Sequence, residues 1–178
     1  MKKFVILIIV LIVSCQSNNI AEQIKLFCST KVELPVTSMI KLYPEEKFDD
    51  TTVIKDMTMI IYIDSATCQS CAFKSLYKWN DIINNNKNVE FKFIVDNRDV
   101  EYVNNKFIRS FLKHEILVDT GSVFLEKNPL FPTNNLLHSF MINKEHNVIY
   151  VGSPIANEKM EALFKKVIAN EQKKKKGA

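Results

Sequence analysis

The sequence is poor in the residues that mark flexible, repetitive or fibrous chains. It holds only three glycines in 178 residues, and no repeat or low-complexity linker divides it. Nearly half of the residues are hydrophobic, and twelve are phenylalanine. Such a composition excludes an intrinsically disordered chain and predicts one globular domain with a substantial core.

Basic charge is also scarcer than the net charge of +4 suggests. Lys2 and Lys3 open the chain, and four more lysines form a run at 173–176. Without these six of the 24 basic residues, eighteen remain against 20 acidic residues. The folded part therefore lacks the basic face that a nucleic-acid partner requires. We interpret the lysine run as a solvated end, with contact to anionic lipid as the alternative.

No apolar run is long enough to span a bilayer, which takes roughly 20 residues. The longest run, residues 4–13, follows two lysines and suits the apolar region of a secretory signal. The letters IVSC at 12–15 resemble a bacterial lipobox. This resemblance implies cleavage before Cys15, a membrane anchor on lipidated Cys15, and a cell-envelope location facing the periplasm or the exterior. A general secretory signal with an incidental cysteine is the alternative.

Cysteines are few, and two of the four stand three positions apart in TCQSC, at Cys68 and Cys71. No second pair of this spacing exists, whereas a structural zinc site needs four ligands. A disulfide between the two closes too short a loop to stabilise the fold much through chain entropy. The spacing therefore favours a redox couple, with a structural disulfide as the alternative. Cys28 is left over, and we expect it to be buried in an N-terminal extension, with a regulatory third thiol as the alternative.

Hydrophobic periodicity predicts strands that alternate with helices from residue 58 onwards. The predicted strands are 58–64, 89–95, 115–119, 137–142 and 148–151, and the predicted helices are 68–84, 100–112, 122–127 and 157–169. This alternation implies a parallel start to a mixed sheet, and the last two strands form a β-hairpin. The letters KVELP at 31–35 predict one more short strand.

This order of elements is that of the thioredoxin fold, an α/β fold, with a strand and a short helix inserted between Lys113 and Leu130. The segments IIYIDSATCQSC, ILVDTGSVF and SFMINKEHNVIYVGSP resemble those of extracytoplasmic thioredoxin-like lipoproteins, related to thiol-disulfide oxidoreductases and alkyl hydroperoxide reductase-like proteins. We predict a signal peptide at 1–14, a tether and extension at 15–56, a thioredoxin-like domain at 57–170 and a lysine-rich tail at 171–178.

Thiol-disulfide exchange gives the two cysteines different roles. Cys68, at the start of a helix, is the predicted nucleophile, because a helix N-terminus lowers the pKa of a cysteine. Cys71, one turn further and more buried, is the predicted resolving thiol. Lys74 is expected to point to solvent, with a contribution of positive potential at Cys71 as the alternative. The substrates would be protein thiols or disulfides, and no diffusible cofactor is needed. The absence of His and Pro between the cysteines favours a reductase or isomerase.

Five positions near the pair depart from the usual pattern of such enzymes. Thr67 stands where Trp commonly precedes the first cysteine, and Gln69 and Ser70 stand where Pro is common between the two. Tyr62 takes the place of a carboxylate on the central strand, and His138 takes that of a cis-proline before the hairpin. These departures predict a site that differs from that of a standard thioredoxin.

His138 opens a hypothesis of a different class. If its imidazole faces Cys68 and Cys71, two thiolates and one imidazole suit copper(I) or zinc. A further hypothesis is a binding module that kept the fold without turnover. We assign no role to His114 or His146.

Overall fold

The structure is a computed structural model that describes residues 20–44 and 55–176. The predicted signal at 1–14 and Cys15 lie outside the described residues, so the lipoprotein hypothesis stays a prediction. No helix in the described ranges is long and apolar enough to cross a bilayer.

The described part of the chain forms one mixed sheet of six strands. These are β1 (Ile40–Leu42), β2 (Met57–Ile63), β3 (Val89–Asp96), β4 (Ile116–Asp119), β5 (Ser139–Asn143) and β6 (Val148–Val151). Their order across the sheet is β1-β4-β3-β2-β5-β6. β2, β3 and β4 run parallel, whereas β1, β5 and β6 are antiparallel to their neighbours. This topology confirms the predicted thioredoxin fold.

Helices connect and cover the strands. They are α1 (Ile20–Cys28), α2 (Gln69–Ser75), α3 (Trp79–Asn85), α4 (Val100–Ile108), α5 (Val123–Lys127) and α6 (Glu158–Lys176). β4 and α5 are the inserted strand and short helix that the sequence predicts. The two central strands are buried on both faces, which explains their nearly continuous apolar sequence.

Two hydrophobic cores lie on opposite faces of the sheet. Met59 and Ile61 of β2 face one core, where they join Trp79 and Phe164 from the helices. The alternate residues Ile60 and Tyr62 face the second core, together with the largely aromatic set Phe27, Phe124, Phe131 and Phe140. Because successive side chains of a strand point to opposite faces of the sheet, one apolar run contributes to both cores.

The predicted helix over 68–84 is divided in the structure. α2 ends at Ser75, a 3₁₀ turn follows at Leu76–Lys78, and α3 begins at Trp79. Ser75 Oγ donates to the carbonyl of Ala72 at 2.8 Å. A side-chain bond of this kind competes with the backbone ladder and bends helices. Both halves nevertheless bury apolar side chains in the same core.

Two other helices end at residues different from those predicted. α4 stops at Ile108 rather than 112, and Phe111 has a φ of 56°, which lies outside the right-handed helical region. α6 continues past 169 to Lys176, so the lysine run is helical and not a separate tail. Lys174 Nζ lies 2.6 Å from Glu171 Oε1 in this extension. Such an ion pair on a helix surface stabilises the helix by about 0.5 kcal/mol at most.

The N-terminal extension differs most from prediction. Residues 31–35 form no strand and contribute a single bridge between Lys31 and Asn147, while β1 supplies the edge strand beside β4. α1 has no counterpart among the predicted helices. It packs through Phe27, whereas Cys28 is exposed, so the expectation that Cys28 is buried is wrong. One residue along a helix turns a side chain by about 100°, which separates the two environments.

We expect Phe27→Ala to destabilise the fold by about 3–5 kcal/mol, because it removes a ring that contacts Phe131 and Phe140 in edge-to-face geometry. Leu26→Ala is the matched control, since Leu26 is 47% exposed in the same helix, and it should stay within about 0.5 kcal/mol. Urea unfolding measures both changes. Equal effects would contradict the packing of α1 on the sheet.

Candidate active site

Cys68 and Cys71 form a disulfide at the start of α2. Cys68 is the residue before the helix, and the backbone N–H of Cys71 donates to the carbonyl of Cys68 at 2.9 Å. Both cysteines are exposed, so the expectation that Cys71 is the shielded one finds no support. They line an open groove of about 360 Å³ together with Leu136, His138 and Ile155. A disulfide in this position is accessible to another thiol.

The turn before the disulfide is held by local hydrogen bonds. Thr67 donates through its Oγ1 to the carbonyl of Asp64 at 2.9 Å, and Asp64 Oδ1 accepts from the N–H of Ala66 at 2.7 Å. Thr67 therefore serves the turn, in the position where the usual enzyme has Trp. Lys74 is exposed, as expected.

The two residues between the cysteines have different surroundings. Ser70 is half-buried, and its Oγ lies 3.3 Å from the hydroxyl of Tyr102 on α4. Gln69 is buried, and its side chain bonds to the ends of the central strands rather than to solvent. No pattern in the sequence indicates this burial, because an isolated Gln between two cysteines fits a surface position equally well.

A buried carboxylate lies beside the site, although the position on β2 where one is expected carries Tyr62. Asp96 ends β3 and is 4% exposed. Its Oδ2 accepts from the hydroxyls of Tyr62 at 3.1 Å and Ser65 at 3.3 Å, and its Oδ1 accepts from that of Ser122 at 2.9 Å. Tyr62 thus occupies the position of the missing carboxylate and donates to a carboxylate on the next strand.

The phenol of Tyr62 is a neutral donor in this arrangement. Burial raises its pKa far above the usual range, and the neighbouring charge of Asp96 raises the pKa further. The sequence signal that could have located Asp96 is its place at the carboxyl end of a predicted parallel strand next to the strand that precedes the cysteines.

His138 immediately precedes β5, where the resemblance implies a cis-proline. All peptide bonds of the described residues are trans, including those of His138. Its imidazole is buried between the rings of Tyr62 and Phe131, with centroids 5.6 and 4.8 Å away. Its Nε2 lies 2.9 Å from the carbonyl of Pro132. Because a carbonyl only accepts, Nε2 carries the hydrogen and is committed to this bond.

This placement bears on the metal hypothesis. His138 lines the same groove as Cys68 and Cys71, and with Nε2 bonded to Pro132 its Nδ1 is the ring nitrogen that keeps a lone pair. Among the described residues, no group of three His, Cys, Asp or Glu side chains is placed to hold a metal ion. The geometry therefore gives no support to a copper or zinc centre.

The two remaining histidines lie away from the disulfide. His114 is buried against Phe93, with 5.7 Å between the ring centroids. His146 has a φ of 65° in the turn of the β5–β6 hairpin, and its Nδ1 lies 2.8 Å from the carbonyl of Val32. Neither lines the groove.

Comparison with known proteins shows the fold. No protein-family model matches the chain, and no curated protein matches it. A thiol-disulfide oxidoreductase from Bacteroides fragilis superposes with a TM-score of 0.53 at 12% identity, over 78% of this chain and 99% of that one. A candidate thiol:disulfide interchange protein DsbE from Chlorobium tepidum gives 0.51 at 15% identity, over 78% and 95%. A candidate thiol-disulfide oxidoreductase from Bacteroides vulgatus gives 0.51 at 12% identity, over 77% and 91%.

The buried histidines predict that stability falls in mild acid. Burial lowers the pKa of His138 and of His114 in the folded protein. The unfolded chain, with a His pKa of about 6.5, therefore binds more protons as the pH falls through that value, and protonation favours unfolding. We expect each histidine to reduce the free energy of unfolding by up to about 1.4 kcal/mol per pH unit below 6.5.

His138→Gln tests this, because the Gln amide remains neutral and still offers a donor to Pro132. Urea unfolding of both proteins between about pH 7 and pH 5.5 measures the difference. In the variant, the free energy of unfolding should depend less on pH, because the contribution of His138 is lost and that of His114 remains. An unchanged pH dependence would contradict the burial of a neutral imidazole at this position.

Proposed function

We propose that the chain carries out thiol-disulfide exchange through Cys68 and Cys71. The observation that carries the proposal is the exposed disulfide at the N-terminal end of α2, open to a groove in a thioredoxin fold. The short loop that the bond closes stabilises little, which argues against a purely structural role. A solved structure of the same fold that is described as a thiol-disulfide oxidoreductase supports the proposed exchange.

The exchange divides into two displacements. In the reduced protein, the Cys68 thiolate attacks one sulfur of a substrate disulfide, that S–S bond breaks, and the first substrate thiolate leaves. The Cys71 thiolate then attacks Cys68 Sγ, the mixed disulfide breaks, and the second substrate thiolate leaves. Two electrons pass from the dithiol to the substrate. A membrane reductase or another thiol protein would supply the electrons that restore the dithiol.

Cys68 is the attacking sulfur for an electrostatic reason. It stands at the N-terminal end of α2, where the positive end of the helix dipole favours the thiolate. Cys71 lies within α2, so the same stabilisation is weaker there. Because Cys71 is exposed, it passes its proton to solvent directly, and a carboxylate at position 62 is not needed for that step.

We place this activity in the bacterial cell envelope. The support is the apolar run at 4–13 and the lipobox-like residues that end in Cys15. In this proposal lipidated Cys15 anchors the chain to a membrane, and the domain meets protein thiols or disulfides outside the cytoplasm. The absence of His and Pro between the cysteines favours reduction or isomerisation over oxidation.

Cys71→Ser should trap mixed disulfides, because the attack on substrate by Cys68 remains and the resolving step is lost. Non-reducing electrophoresis of the variant after reaction with a model protein disulfide measures the trapped adduct. Cys68→Ser should form none, and Cys28→Ser in the Cys71→Ser background should leave the adduct unchanged. Adducts that disappear with Cys28→Ser would overturn the assignment of the nucleophile.

Cys15→Ala should release the protein from the membrane, because each buried methylene of an acyl chain contributes about 0.8 kcal/mol to the anchor. Expression of the full chain in a bacterium with labelled palmitate, followed by membrane fractionation, measures both lipidation and location. Wild-type protein should carry the label and sediment with membranes. An unlabelled wild-type protein would contradict the anchor and leave the exchange chemistry untouched.

A further inference from the structure

Gln69, between the two cysteines, joins the turn that carries Cys68 to the sheet. Its Nε2 donates to the carbonyl of Asp96 at 2.8 Å and to that of Asp64 at 3.4 Å. Its Oε1 accepts from Nδ2 of Asn97 at 2.7 Å. The residue is 7% exposed. We call these three hydrogen bonds the Gln69 clamp.

The clamp connects the carboxyl ends of the two central strands. Asp64 directly follows β2, and Asp96 is the last residue of β3, which pairs with β2 in parallel. Strands in the middle of a sheet are among the least mobile parts of a fold. The backbone between the cysteines is therefore fixed to a rigid element by a side chain, independently of the S–S bond.

The clamp matters most when the S–S bond is open. In the disulfide form, Cys68 and Cys71 are joined covalently, with their Cα atoms 5.3 Å apart. In a mixed disulfide with substrate this bond is absent. The hydrogen bonds of the first helical turn and the Gln69 clamp are then what keep Cys68 Sγ within reach of Cys71. The rate of an intramolecular displacement depends steeply on such positioning.

We propose that Gln69 is a positioning residue that holds Cys68 within reach of Cys71 in the mixed disulfide and so speeds release of the substrate. The inference rests on the proposed thiol-disulfide exchange. It assigns to Gln69 the resolving step alone, because attack on an incoming disulfide requires only that Cys68 be exposed and ionised.

The two steps are separable with dithiobis-nitrobenzoate, a symmetrical aromatic disulfide. The Cys68 thiolate attacks it and releases one coloured thiolate. The Cys71 thiolate then attacks Cys68 Sγ and releases a second, so that the dithiol loses two electrons and two protons go to solvent. Stopped-flow absorbance of the reduced full chain, with Cys15 and Cys28 replaced by Ser, records both releases in turn.

Gln69→Met retains an unbranched side chain of similar length and removes all three hydrogen bonds of the clamp. We expect the first release to keep its rate and amplitude, and the second to slow about tenfold, the rate equivalent of one net hydrogen bond. Asn97→Ala, which removes one bond of the clamp from outside the cysteine pair, should slow the second release by a smaller factor. In a glutathione buffer, the equilibrium between the Cys68–Cys71 disulfide and the dithiol should shift towards the dithiol, because the two sulfurs are held together less well. The shift should be larger for Gln69→Met than for Asn97→Ala.

Asn128→Leu is the matched control, since Asn128 is also a buried amide that joins two segments. Its Nδ2 donates to the carbonyls of Glu33 and Phe124, away from the disulfide. This variant should leave the second release unchanged. Equal slowing by Asn128→Leu would show general loosening, and an unchanged second release in both Gln69→Met and Asn97→Ala would overturn the proposal. Absence of the first release in the parent protein would instead contradict the exchange function itself.

Discussion

The arrangement around the disulfide depends on the buried carboxylate of Asp96. Three hydroxyl groups from separate segments converge on it: Tyr62 from β2, Ser65 from the turn before the cysteines, and Ser122 from the loop before α5. A carboxylate removed from water is costly unless such donors surround it. If these three segments did not meet here, the carboxylate would lack hydrogen-bond donors, so the Asp96 side chain favours their assembly. Because the main-chain carbonyl of Asp96 also accepts from Gln69, the same residue fixes the backbone between the cysteines.

A second acid continues this pattern on the neighbouring strand. Asp119 ends β4 in register with Asp96 and is fully buried. Its oxygens accept from the N–H groups of Val123 and Phe124 at 3.0 and 2.8 Å, which satisfies the first turn of α5. The carboxyl edge of the parallel strands is thus built from side chains that complete neighbouring loops. The disulfide lies at this rigid edge, which suits the proposed exchange with a partner that must be met in a defined geometry.

The residues at positions 62 and 138, which differ from those of the usual thioredoxin-like enzyme, can be explained by their surroundings. An exposed Cys71 needs no internal proton acceptor, so the phenol at position 62 is free to bind the carboxylate of the next strand. His138 is a neutral, aromatic-packed group whose Nε2 is committed to Pro132. In the proposed exchange, the chemistry rests on the two sulfur atoms. Gln69, which looks like a spacer in the sequence, is the side chain proposed to position Cys68.

The fold class, most strands and the position of the cysteine pair were predictable from the sequence, because period-two and helical apolar patterns report directly on burial. The inserted β4 and α5 and the β5–β6 hairpin were predictable in the same way. The division of the helix at Ser75 has a local cause in the bond from Ser75 Oγ to the carbonyl of Ala72. The tertiary packing determines the burial of Gln69, the exposure of Cys28 and the contact of Tyr62 with Asp96, 34 residues apart. Such contacts depend on which strand ends become neighbours, and local periodicity carries no information about hydrogen-bond partners that distant in the chain.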